Sequence, residues 1–391
     1  TSIMAQEQTA GEGNIETEKT QNIKSNTDIF SDAISDFQSE NFALAEEKIK
    51  NLLAKDNLDE DLKFNVLYYS VLTAVERAKT AEAVNNLERL EELAFKSGRL
   101  YWKIGELYLN KERQFDSADF QKALSYLKTA ENLELNKDDF KRDLPYAYLK
   151  NQEIKAAQNL YEKLISNNPE AEDHLYFAQI KEKEGKLNEA VKHYESALEL
   201  NAKQSSLYLN LGNLYQELGK YNSAISIFKQ GIKIKENFVP YYIGLAESYI
   251  EKENYTEAQN ILKSAVNINS NNYYAYFLLG NLAGRKENTN DALDYYSKAI
   301  KNNPDYVEAY LAEGKIHLER EEYYRAISRF SLAVEKNPEY AKSHYYLGRA
   351  YYQADMLEAA RSELRKTLHI NNEFKDAREF LDKIEEELNI E

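Results

Sequence analysis

Five histidines and 66 acidic side chains are the groups in this chain that could do acid–base or metal chemistry. His174, His317 and His344 could act as general bases or metal ligands, since imidazole titrates close to physiological pH. Their placement argues against it. The five histidines do not cluster, and these three stand in columns where the chain otherwise carries tyrosine or another large residue, as packing substitutions. Carboxylate pairs abound, but on so charged a surface they read as solvated faces. No phosphate loop, nucleophile elbow, HExxH or dinucleotide fingerprint occurs. The absence of cysteine removes thiolate nucleophiles, disulfides and cysteine-ligated zinc. The chain is expected to be no enzyme and to need no metal or cofactor.

Binding chemistry is better represented. Arginine is absent between 143 and 284, and eight of the 13 arginines follow. Its rigid fork matches carboxylates, and aromatic side chains anchor partners at low entropic cost. Tyr274, Phe277, Tyr345 and Tyr352 lie in the same stretch as Arg285, Lys315, Lys342 and Arg349.

The elements that must position these groups are set by a repeat. Ala190, Ala224, Ala258, Ala292, Ala326 and Ala360 recur every 34 residues, and a fixed period of this size marks a solenoid of stacked units. Twelve residues upstream a column of small residues runs Ala178, Gly212, Ala246, Gly280, Gly314 and Gly348. Seven residues downstream another runs Ala197, Gly231, Ala265, Ala299, Ala333 and Thr367. Large residues alternate with them: Tyr208, Tyr242, Tyr276 and Tyr310 four before the upstream column, and Tyr194, Phe228, Leu262, Tyr296, Phe330 and Leu364 four after the alanines. Offsets of three and four indicate two amphipathic helices per unit, each of about 14 residues, joined by short turns. Asn-Pro at 168–169, 303–304 and 337–338 marks the end of the second helix.

The pattern resembles the tetratricopeptide repeat. The stretch Tyr208 to Tyr215, then Ala224, Phe228 and Gly231, follows its signature, as does Tyr276 to Pro304. The match is regular from Ala171 to Phe374 and degenerate before. Lys141 to Pro169 keeps several columns, whereas Gly105 and Ala123 stand 18 apart rather than 12, which lengthens the loop around Lys111–Phe120. Phe30 to Ile49 and Leu67 to Leu93 read as two further units. The resemblance implies an all-α, right-handed superhelical solenoid of about ten helix–turn–helix repeats. The expected organisation is a disordered polar tail over 1–27, degenerate repeats over 28–137, regular repeats over 138–374 and a capping helix over 375–391.

The resemblance further implies that first helices line a concave groove, at the second, fifth, ninth, twelfth and thirteenth positions of each unit. The ninth-position column reads Gln179, Asn213, Glu247, Asn281, Lys315 and Arg349. The implied peptide-binding residues are Asn213, Tyr274, Phe277, Asn281, Arg285, Lys315, Lys342, Tyr345, Arg349 and Tyr352. Across 273–353 they would hold an extended segment with acidic and apolar side chains. Trp102 follows Tyr101, which takes an aromatic core column. Trp102 then either faces the groove as a partner anchor or packs inside a rotated unit, and large aromatic residues favour the interior.

The implied function is a non-catalytic adaptor that binds extended segments of partner proteins. The alternative is a structural or assembly factor of a bacterial envelope or secretion complex, docking or self-associating through its N-terminal repeats. A formal charge of −16 speaks against nucleic acid, and no apolar run reaches membrane-spanning length. An excess of lysine over arginine, with abundant asparagine, hints at an AT-rich bacterial genome. Thr1–Gln6 reads equally as the remnant of an export signal or as an arbitrary start, which leaves a periplasmic or otherwise exported location and a cytoplasmic one both open.

Overall fold

The computed structural model describes residues 25–92, 97–109, 119–133 and 138–390. These form 21 helices and no strand, and divide into two compact units, 1–167 and 168–391. The tail expected over 1–27 falls outside the described residues as far as residue 24.

The first unit pairs α1 (Asn26–Gln38) with α2 (Phe42–Leu53), α3 (Glu60–Glu76) with α4 (Thr80–Glu92), α5 (Gly98–Leu109) with α6 (Phe120–Asn132), and α7 (Asp138–Lys150) with α8 (Ile154–Asn167). Ser25 opens α1 with a capping box, its hydroxyl accepting from the Asp28 amide while the Asp28 carboxylate accepts from the Ser25 amide. Gly105 of α5 lies against Ala123 and Leu127 of α6, so this crossing keeps its register despite the longer spacing. Most of the long loop between them lies outside the described residues.

The second unit is regular. Its hairpins are α9 (Ala171–Lys183) with α10 (Leu187–Leu200), α11 (Ser205–Glu217) with α12 (Tyr221–Ile234), α13 (Val239–Glu251) with α14 (Tyr255–Ile268), α15 (Tyr273–Arg285) with α16 (Thr289–Asn302), α17 (Val307–Glu319) with α18 (Tyr323–Lys336), and α19 (Ala341–Gln353) with α20 (Leu357–Ile370). Each hairpin packs on the next, and α21 (Lys375–Ile390) closes the stack against α20. One face of that helix is apolar and buried: Ala377, Leu381 and Ile384 pack against Ala360 and Leu364, with Phe380 and Leu388 alongside.

The 34-residue columns are seams. All six alanines are fully buried, and three of the upstream small residues make space for a ring. A Cβ on Gly212, Gly280 or Gly314 would fall 2.4 Å from the ring of Phe228, Tyr296 or Phe330. Three members of the tyrosine column tie a first helix to the turn before it. Tyr208, Tyr242 and Tyr310 donate to the carbonyls of Ala202, Glu236 and Pro304, each six residues earlier. His344 reaches the Pro338 carbonyl in the same way, Nε2 to O, at 2.9 Å, so it stands in for tyrosine as its column suggests.

Candidate functional site

Two adjoining clefts open among the first helices of the last three hairpins. The larger, of about 580 Å³, is floored by Phe277, Leu311, Ala312, Ile316, Tyr340 and Tyr346, with Arg285, Lys315, Lys342, Glu308 and Glu319 at its rim. The smaller, of about 430 Å³, shares Lys315, Glu319 and Tyr346 and adds Arg349, Glu321, Tyr323 and Gln353.

Helical periodicity places these groups. Phe277, Asn281 and Arg285 are spaced by four along α15, so they stand on one face. Lys315 of α17 and Arg349 of α19 occupy equivalent positions one repeat apart, on helices that pack directly together. The Lys315 ammonium lies 4.3 Å from the Tyr346 ring centroid, and the Arg349 guanidinium 5.8 Å from that of Tyr345. Arg285 sits over Tyr255 and donates to its hydroxyl at 3.2 Å. Among the described residues, Arg285, Lys315, Lys342 and Arg349 form no ion pair. The contrast is with Arg325, Arg329, Lys336, Arg361, Arg365 and Lys366 of the same unit, each within 4.0 Å of a carboxylate oxygen. The four cleft cations are thus exposed and unneutralised, and three of them, Arg285, Lys315 and Arg349, are held against aromatic rings.

Asn281 is oriented by Tyr296, whose hydroxyl donates to Oδ1 at 2.8 Å. That bond turns the Asn281 amide N–H groups away from the tyrosine and leaves them as donors. Burial pushes the Tyr296 hydroxyl up to about 12, which keeps it protonated as that donor. Tyr274 stacks beside Phe277 and donates to Glu247 Oε1 at 2.8 Å. Its hydroxyl is raised far above the usual tyrosine range, first by burial and then by the Glu247 carboxylate.

Family models described as "TPR repeat" and "Tetratricopeptide repeat" match residues 181–219, 217–282, 277–330 and 311–373. The chain is a tetratricopeptide repeat protein. A search of curated proteins returns no match. Among solved structures it is similar to a tetratricopeptide repeat protein from Parabacteroides merdae ATCC 43184, at 17% identity and TM-score 0.49, over 63% of this chain and 98% of that one. It is also similar to the APC/C hetero-tetramer Cut9-Hcn1, at 14% and 0.47, over 92% and 76% of the two chains. A third is YrrB, described as a TPR protein with an unusual peptide-binding site, at 24% and 0.39, over 48% and 96%. The tetratricopeptide repeat is a protein-interaction fold, generally non-catalytic, so this chain is a protein-binding scaffold. Among the described residues no helix is long and apolar enough to cross a membrane.

Five of the ten residues read from the tetratricopeptide pattern, Phe277, Asn281, Arg285, Lys315 and Lys342, line the larger cleft, and Arg349 joins Lys315 in the smaller. Tyr274 borders it through Phe277. Asn213 is exposed on α11, outside both. Tyr345 and Tyr352 instead serve the cap: Tyr345 packs on Phe374 with ring centroids 5.0 Å apart, and Tyr352 packs on Phe380 and donates to Glu387 of α21. The groove positions overlooked Tyr340 and Tyr346. Tyr340 had a signal, since Phe238, Tyr306 and Phe374 precede other first helices at the same register.

Two readings of single residues are resolved. Trp102 is buried and donates from Nε1 to Asp143 of α7 at 2.7 Å, so it is a core residue of the tetratricopeptide array. The histidines, however, are not all dispersed. His174 and His193, 19 residues apart, meet across the α9–α10 hairpin because their columns face each other. The same two columns bring His344 to Glu363, Nδ1 to Oε2, at 2.6 Å. Among the described residues no group of three or more His, Asp or Glu side chains converges as a metal site would require.

Proposed function

We propose that the clefts of α15, α17 and α19 hold an extended, acidic and apolar segment of a partner protein, making this chain a peptide-binding adaptor. The observation that carries this reading is the set of four unpaired cations around an aromatic floor, in a chain whose formal charge is −16. Apolar side chains of the segment would fill the floor, and its carboxylates would meet cations of which Arg285, Lys315 and Arg349 are already held against rings. Rim carboxylates Glu308, Glu319 and Glu321 limit how much negative charge the site accepts, so it should favour spaced acids over an acidic block.

The test is fluorescence anisotropy with a labelled peptide that mixes glutamate with leucine and phenylalanine. Lys315→Ala and Arg349→Ala should each weaken binding by about 1–2 kcal/mol. Circular dichroism would verify that these exposed positions leave the fold intact. Unchanged affinity in both variants, or no binding by the intact chain, would overturn the assignment.

A further inference from the structure

We infer that the segment bound in these clefts is a proline-rich polyproline II helix carrying a carboxylate at every third residue. The inference rests on the peptide-binding reading above and adds the conformation and spacing of the ligand.

The spacing comes from two periods. Lys315 and Arg349 are the same position of successive first helices, and α17 packs on α19. Axes of directly packed helices stand about 8–10 Å apart. Polyproline II rises about 3.1 Å per residue with three residues per turn, so residues i and i+3 share a face about 9.3 Å apart. A β-strand offers about 6.8 Å for i, i+2, and at i, i+3 it turns the side chain to the opposite face. Of the two extended conformations, polyproline II alone keeps one face in step with the repeats.

The rest of the cleft suits that conformation. Polyproline II has no internal hydrogen bonds, so its carbonyls need donors. The amide of Asn281, one repeat before Lys315 in the same column, is such a donor, its oxygen being already taken by Tyr296. Proline rings dock on aromatic-lined grooves, with the ligand conformation largely preformed. Tyr340, Tyr346 and Phe277 line this one. A free carboxylate near Lys315 or Arg349 would complete ion pairs that the protein itself does not make.

The experiment compares three labelled peptides by anisotropy against the full chain: repeating Glu-Pro-Pro, the same composition with glutamates in adjacent pairs, and repeating Lys-Pro-Pro. The period-three acidic peptide should bind up to about fivefold more tightly than the paired one, as expected when a second exposed ion pair is in register. The lysine peptide should not bind. Lys315→Glu and Arg349→Glu should each abolish the preference. Equal affinity for the two acidic peptides would overturn the spacing and leave the peptide-binding reading standing. If neither proline peptide binds while the leucine- and phenylalanine-containing acidic peptide does, the polyproline conformation is refuted alone. If no acidic peptide binds, both readings fall.

Discussion

His174 and His193 meet head to head, with Nδ1 atoms 3.0 Å apart and ring centroids 5.3 Å apart. One nitrogen donates and the other accepts, so the contact tolerates a proton on only one of the two Nδ1 atoms. Burial lowers the titration of both rings below 6.5. Asp173 partly opposes this at His174, while His174 and Lys181 reinforce it at His193.

A pH dependence follows. Where the folded value lies below the unfolded one, the unfolded chain binds more protons, so stability rises with pH across that window. The pair should leave stability intact above about pH 6.5 and erode it as pH falls further. Replacing the pair with types from their own columns, His174→Tyr with His193→Ile, should flatten this part of the profile in thermal melts. A double variant with the wild-type slope would show that the pair does not titrate as described.

Gly314 leaves its Cβ position 2.4 Å from the Phe330 ring, at a seam where both helices are fixed by neighbouring hairpins. Gly314→Ala should destabilise the second unit by about 1–3 kcal/mol through overpacking. Chemical denaturation measures it, and a neutral result would mean that the ring slides aside at little cost.

Glu313 occupies a column that elsewhere holds Leu211, Leu245, Leu279 and Leu347. It is 4% exposed; Arg329 Nε lies 3.0 Å from Oε2, but that oxygen receives no well-directed hydrogen bond. Burial raises its carboxyl, against the opposing pull of Arg329. Glu313→Leu should therefore stabilise the protein by about 1 kcal/mol at neutral pH, because Arg329 can turn to solvent and no buried charge is orphaned. The gain should shrink as pH falls towards about 4.5, because the native carboxyl, raised above that value, takes up its proton before the unfolded one does and loses the burial penalty. Loss of stability in this variant would mean that the ion pair holds α17 to α18.

Glu46 in the first unit is the opposite case. Burial would raise its carboxyl, but hydrogen bonds and charge from Lys50 and Lys79 outweigh it and hold the group at about 2. Arg77 donates to the other oxygen. A depressed value stabilises above the unfolded value of 4.5 and loses that contribution as pH falls towards about 2. Glu46→Gln should lower the melting temperature at pH 7 and make little difference near pH 2. An equal loss at both would assign Glu46 to packing rather than charge.

The hairpins, their register and the capping helix were legible in the sequence because each depends on local periodicity. A buried column of alanine or glycine every 34 residues repeats for the same steric reason each time, and even the degenerate first units kept enough of it. Counting placed Asn281, Arg285, Lys315 and Arg349 on one face of regular helices, the repeat resemblance implied a groove there, and these residues do line the two clefts. Counting could not decide what crosses between elements. Tyr345 and Tyr352 share that face, yet Phe374 claims the first, and Phe380 and Glu387 of α21 claim the second. Tyr340 enters the cleft from a turn, where helical phase no longer applies. His174 and His193 touch because two columns on different helices face each other, a relation set by the hairpin's closure rather than by sequence distance. Periodicity along the chain thus specified the units, and packing between units chose which side chains remain available to a partner.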